Sequence, residues 1–592
     1  GYLSNGIHSN TTQYYTATLV TARRSALSAF GRYVVGHSAT VLYTPPAVTT
    51  ELLNKSAKIK QTAGSNLYII GAATHLNNNS GGIITTNTGA TLSVGGNLNN
   101  TASTVLMNDG IVNVIGNLNN TTAGIYTQTT GTTAVTGSLN NNTAGVFTHT
   151  AGTVSITTDF SNDASTYSQA AGTLNVTGNI TNSNSALIEI LGTANITGNT
   201  SNNSTSTISI DGTYKIKGTW TNNAVQSVAY AGATLGTLEF NGTAAQIING
   251  SVSTFFENLT INNTTGVTLN TVDQHVDEVL NFNAGILSTL NNWIIINNTN
   301  TASITGHNTS NTKHINGNLR RYVTTGEYEL PVGSATNYEL ATINISSETG
   351  LTYLDVFFTV NDQNPPDPFL TANGARVENF LDEGYWTITP NTGGSATYDL
   401  TLRESGHTDL LPTADRYAML SNLGVGWTDY GTHSPATQIY DPAYVIAKRS
   451  GMSVFGLYIL GKTLEDAYVQ PVITNELRNE GAKLKIPTGV TVSVLGSSSE
   501  YNNYSGAITT VDGTLATSGD VNNNGVASFF EVDGTIQLQE NWTNDGGVTV
   551  TDGDATYGTV EFYGTTAQTI GGSVVTQFEK LLIKDRKERR VG

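Results

Sequence analysis

The chain has 592 residues, of which 38% are apolar and only 12% are charged, and its formal net charge is −18. This acidic balance excludes nucleic acid as a partner because neutralising phosphates requires a basic face, and the lack of cysteine excludes disulfides and thiolate metal sites. No apolar run is long enough to span a membrane, and a surface of Asn, Thr, Ser and Gly is typical of a secreted or cell-surface β-protein.

Residues 1–46 form the first predicted segment, a partial β-sandwich-like unit. The run RRSALSAFGRYVVG, starting at Arg23, matches KRSGMSVFGLYILG, starting at Lys448, so the same kind of unit is predicted twice. Because the chain starts within one module and stops within another, we expect a segment of a longer tandem protein or a protomer whose ends are completed by neighbours.

Residues 47–318 are predicted to form a long β-solenoid. The phrase GNLNN occurs at Gly96 and Gly116, and related phrases follow at a regular step of about 20 residues. Apolar residues alternate within each repeat, as at Leu92 and Val94, which is strand periodicity. The pattern therefore predicts parallel coils of two or three short strands with Gly and Asn at the turns. The alternative, a disordered polar tract, does not keep apolar residues in register.

Residues 319–471 lose this period and contain alternating runs such as LTYLDVFFTV and GYWTITPN, separated by turn clusters. Short strands of this kind predict an antiparallel β-sandwich. Such a module would cover the exposed sheet edge at a solenoid end. Arg320 and Arg321 enter it, and we expect them to pair with acids at the junction. The loop at 361–368 is interpreted as a rigid turn, with a calcium or ligand loop as the alternative.

Residues 472–592 are predicted to form a short, truncated solenoid that repeats the ends of the first one. The segment Ala233–Ile261 returns as Ala555–Ile583, and Glu51 with its neighbours returns at Glu476. The two copies of the solenoid start lie farther apart along the chain than the two copies of the solenoid end. The difference is about five coils, so the second solenoid is predicted to be about five coils shorter than the first. The basic run KDRKERRVG at the end is interpreted either as a docking end or as an effect of where the chain was cut.

Several segments resemble large repetitive surface proteins of Bacteroidota that are often exported by the type IX secretion system. These segments are FNGTAAQIINGSVSTFFENLTINNTTGVTL from Phe240, HINGNLRRYVTTGEYELPVG from His314, EGYWTITPN from Glu383, and KRSGMSVFGLYILG from Lys448. The resemblance covers about residues 233–461. It implies secretion, attachment to a cell surface or matrix, and an adhesive or filament-forming role without catalytic residues. The chain departs from that family in having no recognisable C-terminal sorting domain.

The stretch DVNNNGVASFFE fits the loop pattern in which six residues surround a calcium ion. The ligands would be Asp520, Asn522, Asn524 and Glu531. However, GDVNN occupies the repeat position of GNLNN, and both flanks alternate like strands rather than helices. We therefore favour a solenoid turn, with calcium as the alternative and no other cofactor.

Other polar clusters are interpreted as solvated surface. Asp273, His275, Asp277 and Glu278 lie close enough in sequence for a metal site, but one His with carboxylates in a single strand is a weak signal. Glycoside hydrolysis requires two carboxyl groups at a fixed separation, whereas the acids of residues 86–235 share no coil position. Those acids are Asp109, Asp159, Asp163, Glu189 and Asp211. We expect no catalytic residues.

The sequence thus predicts a non-enzymatic, extracellular structural or adhesive protein that associates with itself head to tail. Surface glycans or the cell envelope are further expected partners. The alternatives are a carbohydrate-binding adhesin, for which Tyr14, Tyr15, Tyr33, Tyr501 and Tyr504 are the candidate aromatic residues, and a polysaccharide-degrading β-helix.

Overall fold

The computed structural model describes an all-β chain, and its described residues contain no helix. They form two compact units, Gly1–Glu465 and Asp466–Gly592. No helix in this part of the chain is long and apolar enough to cross a bilayer. The described residues are 7–8, 14–16, 19–21, 24–25, 47–71, 74–102, 104–224, 235–308, 311–364, 366, 370–372, 375–381, 383–407, 417–424, 426–433, 439–441, 443–463, 473–496, 499–546 and 557–584.

The first unit contains the predicted parallel β-solenoid, with three separate strands per coil, and therefore three faces, as far as Thr207–Ile210. In the later described coils longer strands extend from one face to the next, and Gln274–Ala284 pairs with Leu287–Ile296. We call the face that carries the repeated Asn pairs the asparagine face. Its strands are Leu52–Lys55, Leu76–Asn79, Leu98–Thr101, Leu118–Thr121, Leu139–Asn142, Phe160–Asp163, Ile180–Ser183, Thr200–Ser204, Trp220–Ala224, Gln246–Gly250, Val267–Leu269 and Leu287–Ile296.

The other two faces follow in chain order within each coil. The second face consists of Lys58–Gln61, Ile83–Thr86, Val105–Asn108, Ile125–Gln128, Val146–His149, Thr166–Gln169, Leu187–Ile190 and Thr207–Ile210. The third face consists of Ala47–Val48, Asn66–Ile69, Thr91–Val94, Ile111–Val114, Thr132–Val135, Thr153–Ile156, Thr173–Val176, Thr193–Ile196, Thr213–Ile216, Thr237–Phe240, Phe255–Asn262, Gln274–Ala284 and Ile304–Thr305.

The repeat length sets the register between coils. Leu98 pairs in parallel with Leu118, and Leu118 pairs with Leu139, so residues one repeat apart stack as predicted. Side chains alternate between the core and the surface, and Leu98 and Asn100 are fully buried. The turns require glycine where successive coils approach closely. At Gly152 φ is +82°, and a Cβ there would lie 2.1 Å from the carbonyl oxygen of Gly131.

A ladder of buried asparagines runs inside the asparagine face and ties successive coils together. Asn120 Nδ2 donates to Asn141 Oδ1 at 2.8 Å and to the Val146 carbonyl at 3.0 Å. Its own Oδ1 accepts from Asn100 Nδ2 at 2.8 Å. Each amide thus bonds both along the stack and to the neighbouring face, as buried polar groups require. The ladder comprises Asn54, Asn78, Asn100, Asn120, Asn141, Asn162, Asn182, Asn202 and Asn222.

Strand Ile315–Tyr322 joins the solenoid to the sandwich. It pairs in parallel with Leu287–Ile296 and antiparallel with Tyr353–Val360. The strand therefore spans residues 318 and 319, where the sequence placed a domain boundary. One continuous apolar core runs from Leu52 in the first coil to Leu460 in the sandwich.

The sandwich consists of two antiparallel sheets, and this confirms the predicted fold class of solenoid plus sandwich. Trp386 Nε1 donates to the Glu339 carbonyl at 3.0 Å, and the hydroxyls of Tyr398 and Tyr458 lie 2.6 Å apart, so the sheets pack face to face. Besides the shared strand, the first sheet contains Tyr353–Val360, Thr371–Ala372, Ala375–Phe380, Gly384–Pro390, Tyr417–Asn422, Trp427–Thr428 and Gly456–Thr463. The second contains Gly326–Gly333, Tyr338–Thr349, Ser395–Ser405, Thr432–His433, Ile439–Asp441 and Tyr444–Met452.

The second unit is a shorter solenoid with the same three faces and its own core. Its asparagine face consists of Glu476–Asn479, Glu500–Asn503, Val521–Asn523, Trp542–Asn544 and Ile570–Gly571. The second face consists of Lys483–Ile486, Ile508–Val511 and Phe529–Val532. The third face consists of Thr491–Val494, Thr514–Thr517, Thr535–Leu538, Thr559–Phe562 and Lys580–Ile583.

The predicted sandwich-like segment at 1–46 is described only as two short antiparallel pairs. Ile7–His8 pairs with Arg24–Ser25, and Tyr14–Thr16 pairs with Leu19–Thr21. The repeated run from Ala26 onward, including Tyr33, lies outside the described residues, as does the basic run after Lys584.

Candidate binding groove of the second unit

A polar groove of about 610 Å³ lies on the asparagine face of the second unit, across its first three coils. The strands Glu476–Asn479, Glu500–Asn503 and Val521–Asn523 place their outward side chains along it. Its lining residues are Thr474, Asn475, Glu476, Glu500, Asn502, Tyr504, Asn522 and Asn524. The groove is open and its lining is mainly polar, in contrast to the mostly apolar clefts that usually bind small molecules.

Asn502 forms the floor of the groove and is only 4% exposed. Its Nδ2 donates to Glu476 Oε1 at 2.6 Å and to Glu500 Oε2 at 3.3 Å. Its Oδ1 accepts from Asn522 Nδ2 at 2.9 Å and from Asn524 Nδ2 at 3.1 Å. The amide is therefore fully used in holding the groove walls, since it can make about four hydrogen bonds.

The two carboxylates of the groove stack directly, because Glu476 and Glu500 are register partners in neighbouring coils. Each has one oxygen bonded to Asn502, and the structure gives no hydrogen-bond partner to Glu476 Oε2 or to Glu500 Oε1 in the described part of the chain. Arg478 lies 4.3 Å from the centroid of the Tyr504 ring and forms an ion pair with Glu480. The groove thus combines free acceptors with a nearby positive charge.

The first solenoid carries a simpler version of this arrangement. Asn77 Nδ2 donates to Glu51, and Asn99 Nδ2 donates to Asn77 Oδ1 at 2.6 Å. In the repeat alignment that matches Glu476 to Glu51, Glu500 corresponds to His75 and Tyr504 to Asn79. The second carboxylate and the tyrosine are therefore specific to the second unit.

The four calcium candidates do not converge on one point. Asp520 precedes the asparagine-face strand Val521–Asn523, and its Oδ1 accepts from the Asn541 main-chain N–H at 2.7 Å. Glu531 lies in Phe529–Val532 on the second face, where its Oε2 accepts from Thr510 Oγ1 at 2.8 Å. Asn522 and Asn524 both bond to Asn502. The stretch has the strand flanks of a solenoid turn, as favoured from the sequence.

The cluster at 273–278 is likewise bonded to the next coil. Asp273 Oδ1 accepts from the Trp293 main-chain N–H at 2.8 Å, and Asp277 Oδ1 accepts from Asn297 Nδ2 at 2.6 Å. His275 stacks on Phe255 with ring centroids 4.2 Å apart. Glu278 Oε2 accepts from Asn298 Nδ2 at 2.8 Å. Among the described residues, no group of three or more His, Asp or Glu side chains is arranged to hold a metal ion.

The scattered acids of residues 86–235 behave in the same way. Asp159 accepts from the Asn179 main-chain N–H at 2.7 Å, Asp163 from Ser183 at 3.0 Å, and Glu189 from Ser168 at 2.5 Å. Asp211 accepts from Ser209 at 3.5 Å, and Asp109 lies in a turn of another coil. Asp159, Asp163, Glu189 and Asp211 therefore bond within their own or a neighbouring coil, whereas one buried oxygen of Asp109 has no hydrogen-bond partner among the described residues.

The two arginines at the junction have different environments. Arg320 makes a bidentate bond to Asp355 at 2.7 and 2.8 Å and lies 4.1 Å from the Tyr353 ring centroid, which confirms the expected pairing with an acid. For Arg321 that expectation is wrong, because its fully buried guanidinium donates to the main-chain carbonyls of Asn298 and Asn300. Arg321 shares these two carbonyls with Ser303, whose hydroxyl also donates to both, at 3.1 and 2.7 Å.

In the loop at 361–368, Asn364 bonds to the main chain of Phe380 through both its amide atoms, at 3.0 and 2.7 Å. This double contact anchors the loop to the sandwich. Pro365, Asp367, Pro368 and the calcium or ligand alternative that depends on them lie outside the described residues.

Two of the candidate tyrosines, Tyr501 and Tyr504, divide between core and groove. Tyr501 is fully buried and its hydroxyl lies 2.5 Å from Thr509 Oγ1, and burial raises its pKa to about 12. Tyr504 is half-buried and lines the groove. Of these two, Tyr504 therefore contributes to a surface that a ligand can reach.

The sandwich contains a buried pair of acids that the sequence pattern did not indicate. Glu339 and Glu404 are fully buried, and Glu339 Oε2 accepts from the Ser405 main-chain N–H at 2.9 Å. Burial, and secondly the neighbouring Glu404 carboxyl, raise the pKa of Glu339 well above its usual range. The acid lies in the apparently regular strand Tyr338–Thr349, and only strand packing reveals its environment.

Comparison of the chain with protein-family models, with curated proteins and with solved structures finds no match.

Proposed function

We propose that the protein is a non-enzymatic structural or adhesive protein of the cell exterior, which associates with itself head to tail into a surface filament. In this proposal the coils add length in steps of about 4.8 Å, and the sandwich covers a solenoid end. Secretion and attachment to the cell envelope are parts of the same proposal.

The parallel register that joins successive coils supports it, because a further coil can pair in the same way, and the duplicate copy identifies the apolar positions that such a coil covers. Ile583 is 66% exposed, whereas Ile261, its counterpart in the first solenoid, is fully buried. Ile261 is covered because it pairs with Phe282 of the following coil. The same contrast holds for Ile570 against Ile248 and for Leu581 against Leu259.

In the first solenoid these positions are covered by a further parallel coil with apolar residues at the same positions. Each apolar side chain buried there contributes about 1.5–3 kcal/mol. Three such side chains, together with the ladder hydrogen bonds of an added strand, would contribute to an end-to-end contact, and this contribution is opposed by an association cost of about 4–15 kcal/mol. A contact of this heterologous kind produces an open fibre.

The test is the association state of the full chain. We expect sedimentation velocity to show concentration-dependent oligomers, and electron microscopy to show end-to-end particles. The double variant Leu581→Lys and Ile583→Lys should abolish the association because it places charges on the docking surface. Val526→Lys is the matched control, since Val526 is 80% exposed but lies in a turn away from the last coil.

Identical sedimentation of the wild type and the double variant at every concentration contradicts the self-association. Equal loss of association in Val526→Lys contradicts the assignment to the last coil. Depolymerisation of a glycan by the purified chain would contradict the non-enzymatic role.

A further inference from the structure

We propose that the polar groove of the second unit binds a neutral oligosaccharide. This inference goes beyond the structural role and does not depend on self-association, because the groove lies on the side of the coils rather than at their end.

The groove offers a mixed set of hydrogen-bonding groups. Glu476 and Glu500 contribute acceptor oxygens that have no partner in the described part of the chain. Asn475 and Asn524 contribute amides, which both donate and accept. A hydroxyl group also both donates and accepts, so a row of sugar hydroxyls satisfies both kinds of group at once.

The charges of the groove disfavour an anionic ligand. The stacked carboxylates of Glu476 and Glu500 repel an anion. The guanidinium of Arg478 is held against the Tyr504 ring at 4.3 Å and is paired with Glu480, so it does not cancel the charge of the two carboxylates.

The walls of the groove are fixed before any ligand binds. Asn502 is buried and bonded to Glu476, Glu500, Asn522 and Asn524, so the four side chains are tied to one floor residue. Such preorganisation lowers the entropy lost on binding. Because the groove crosses three coils spaced by about 4.8 Å, it suits a ligand of more than one sugar ring.

The experiment uses the full chain and isothermal titration with cellohexaose, xylohexaose, mannohexaose and maltohexaose at millimolar concentrations. At least one of these probes should bind. Glu500→Gln should weaken that binding by about tenfold to a hundredfold, as expected for loss of a hydrogen bond to a charged acceptor. Tyr504→Ala should weaken it as well. Thermal melting of each variant verifies that the fold is retained.

The matched control is Glu51→Gln in the first solenoid. Glu51 has the same bond to an asparagine but no second carboxylate and no tyrosine at the matching positions of the repeat, so its substitution should leave the binding unchanged. Calcium chloride and an oligolysine peptide are the competing probes.

Binding of none of the oligosaccharides overturns the proposal. So does oligosaccharide binding that is insensitive to Glu500→Gln and Tyr504→Ala, or equally sensitive to Glu51→Gln. Binding of calcium or oligolysine that Glu500→Gln abolishes, without oligosaccharide binding, assigns the groove to cations instead. None of these outcomes affects the test of self-association, which depends on Leu581 and Ile583.

Discussion

The buried asparagine ladder makes a sharp prediction because a half-exposed ladder lies beside it on the same strand. Asn120 is fully buried and takes part in three hydrogen bonds, to Asn100, Asn141 and the Val146 carbonyl, all between 2.8 and 3.0 Å. Asn119 is half-buried and bonds to Asn99 at 2.6 Å and to Asn140 at 2.7 Å.

The substitution Asn120→Ala removes all three bonds and leaves the Asn141 and Val146 oxygens without these donors in a dry core. A net hydrogen bond contributes about 1 kcal/mol, and an unsatisfied buried group costs about 1–3 kcal/mol. We therefore expect a local destabilisation of about 3–5 kcal/mol. Asn119→Ala should cost less than about 1 kcal/mol, because water can replace its partners.

The measurement is native-state hydrogen exchange of the main-chain amides in residues 98–149, which reports the free energy of local opening. Exchange is preferable to a single unfolding midpoint because stacked repeats do not always unfold as one unit. Protection should fall sharply in Asn120→Ala and little in Asn119→Ala. Equal effects of the two variants would refute the idea that the inner ladder is a main source of coil stability.

Three further predictions concern the core, the junction and the pH dependence. Phe147→Ala should cost about 3–5 kcal/mol, measured by the same exchange experiment, because Phe147 is fully buried and lies with its ring centroid 4.4 Å from that of Tyr126; an effect below about 1 kcal/mol would contradict the packing. Arg320→Lys should lower the stability of the first unit by about 1–2 kcal/mol in thermal melting, since lysine cannot form the bidentate bond to Asp355, and an unchanged melting temperature would contradict this role. Because the folded-state pKa of Glu339 is raised above its ordinary 4.5, stability from this group is present at low pH and decreases as pH rises above 4.5 toward the folded-state pKa. Glu339→Gln should therefore raise the melting temperature at pH 8 but not at pH 4. An effect of the same size at both pH values would contradict the raised pKa of Glu339.

The solenoid and its register were predictable because they depend on a local rule repeated many times. The regular repeat brings Leu98, Leu118 and Leu139 to the same position in successive coils, and alternation within each strand divides core from surface. The sandwich strands were recognisable for the same reason. Their pairing was not, because the partner of a strand such as Tyr338–Thr349 is the distant Ser395–Ser405.

The sequence by itself determined the coil period, the inward positions and the duplication of the solenoid ends, since each follows from spacing along the chain. Only the tertiary structure decided that Asn502 ties Glu476 and Glu500 into one groove, because Glu476 belongs to a different coil and meets the other two through coil stacking. The tertiary structure also decided that Asp520 and Glu531 lie apart. The two residues belong to one contiguous stretch that fits a calcium loop, but the chain turns between them, and Asp520 precedes an asparagine-face strand whereas Glu531 lies on the second face. Burial decided the rest: Tyr501 and Tyr504 are near neighbours in the sequence, but one side chain points into the core and the other lines the groove.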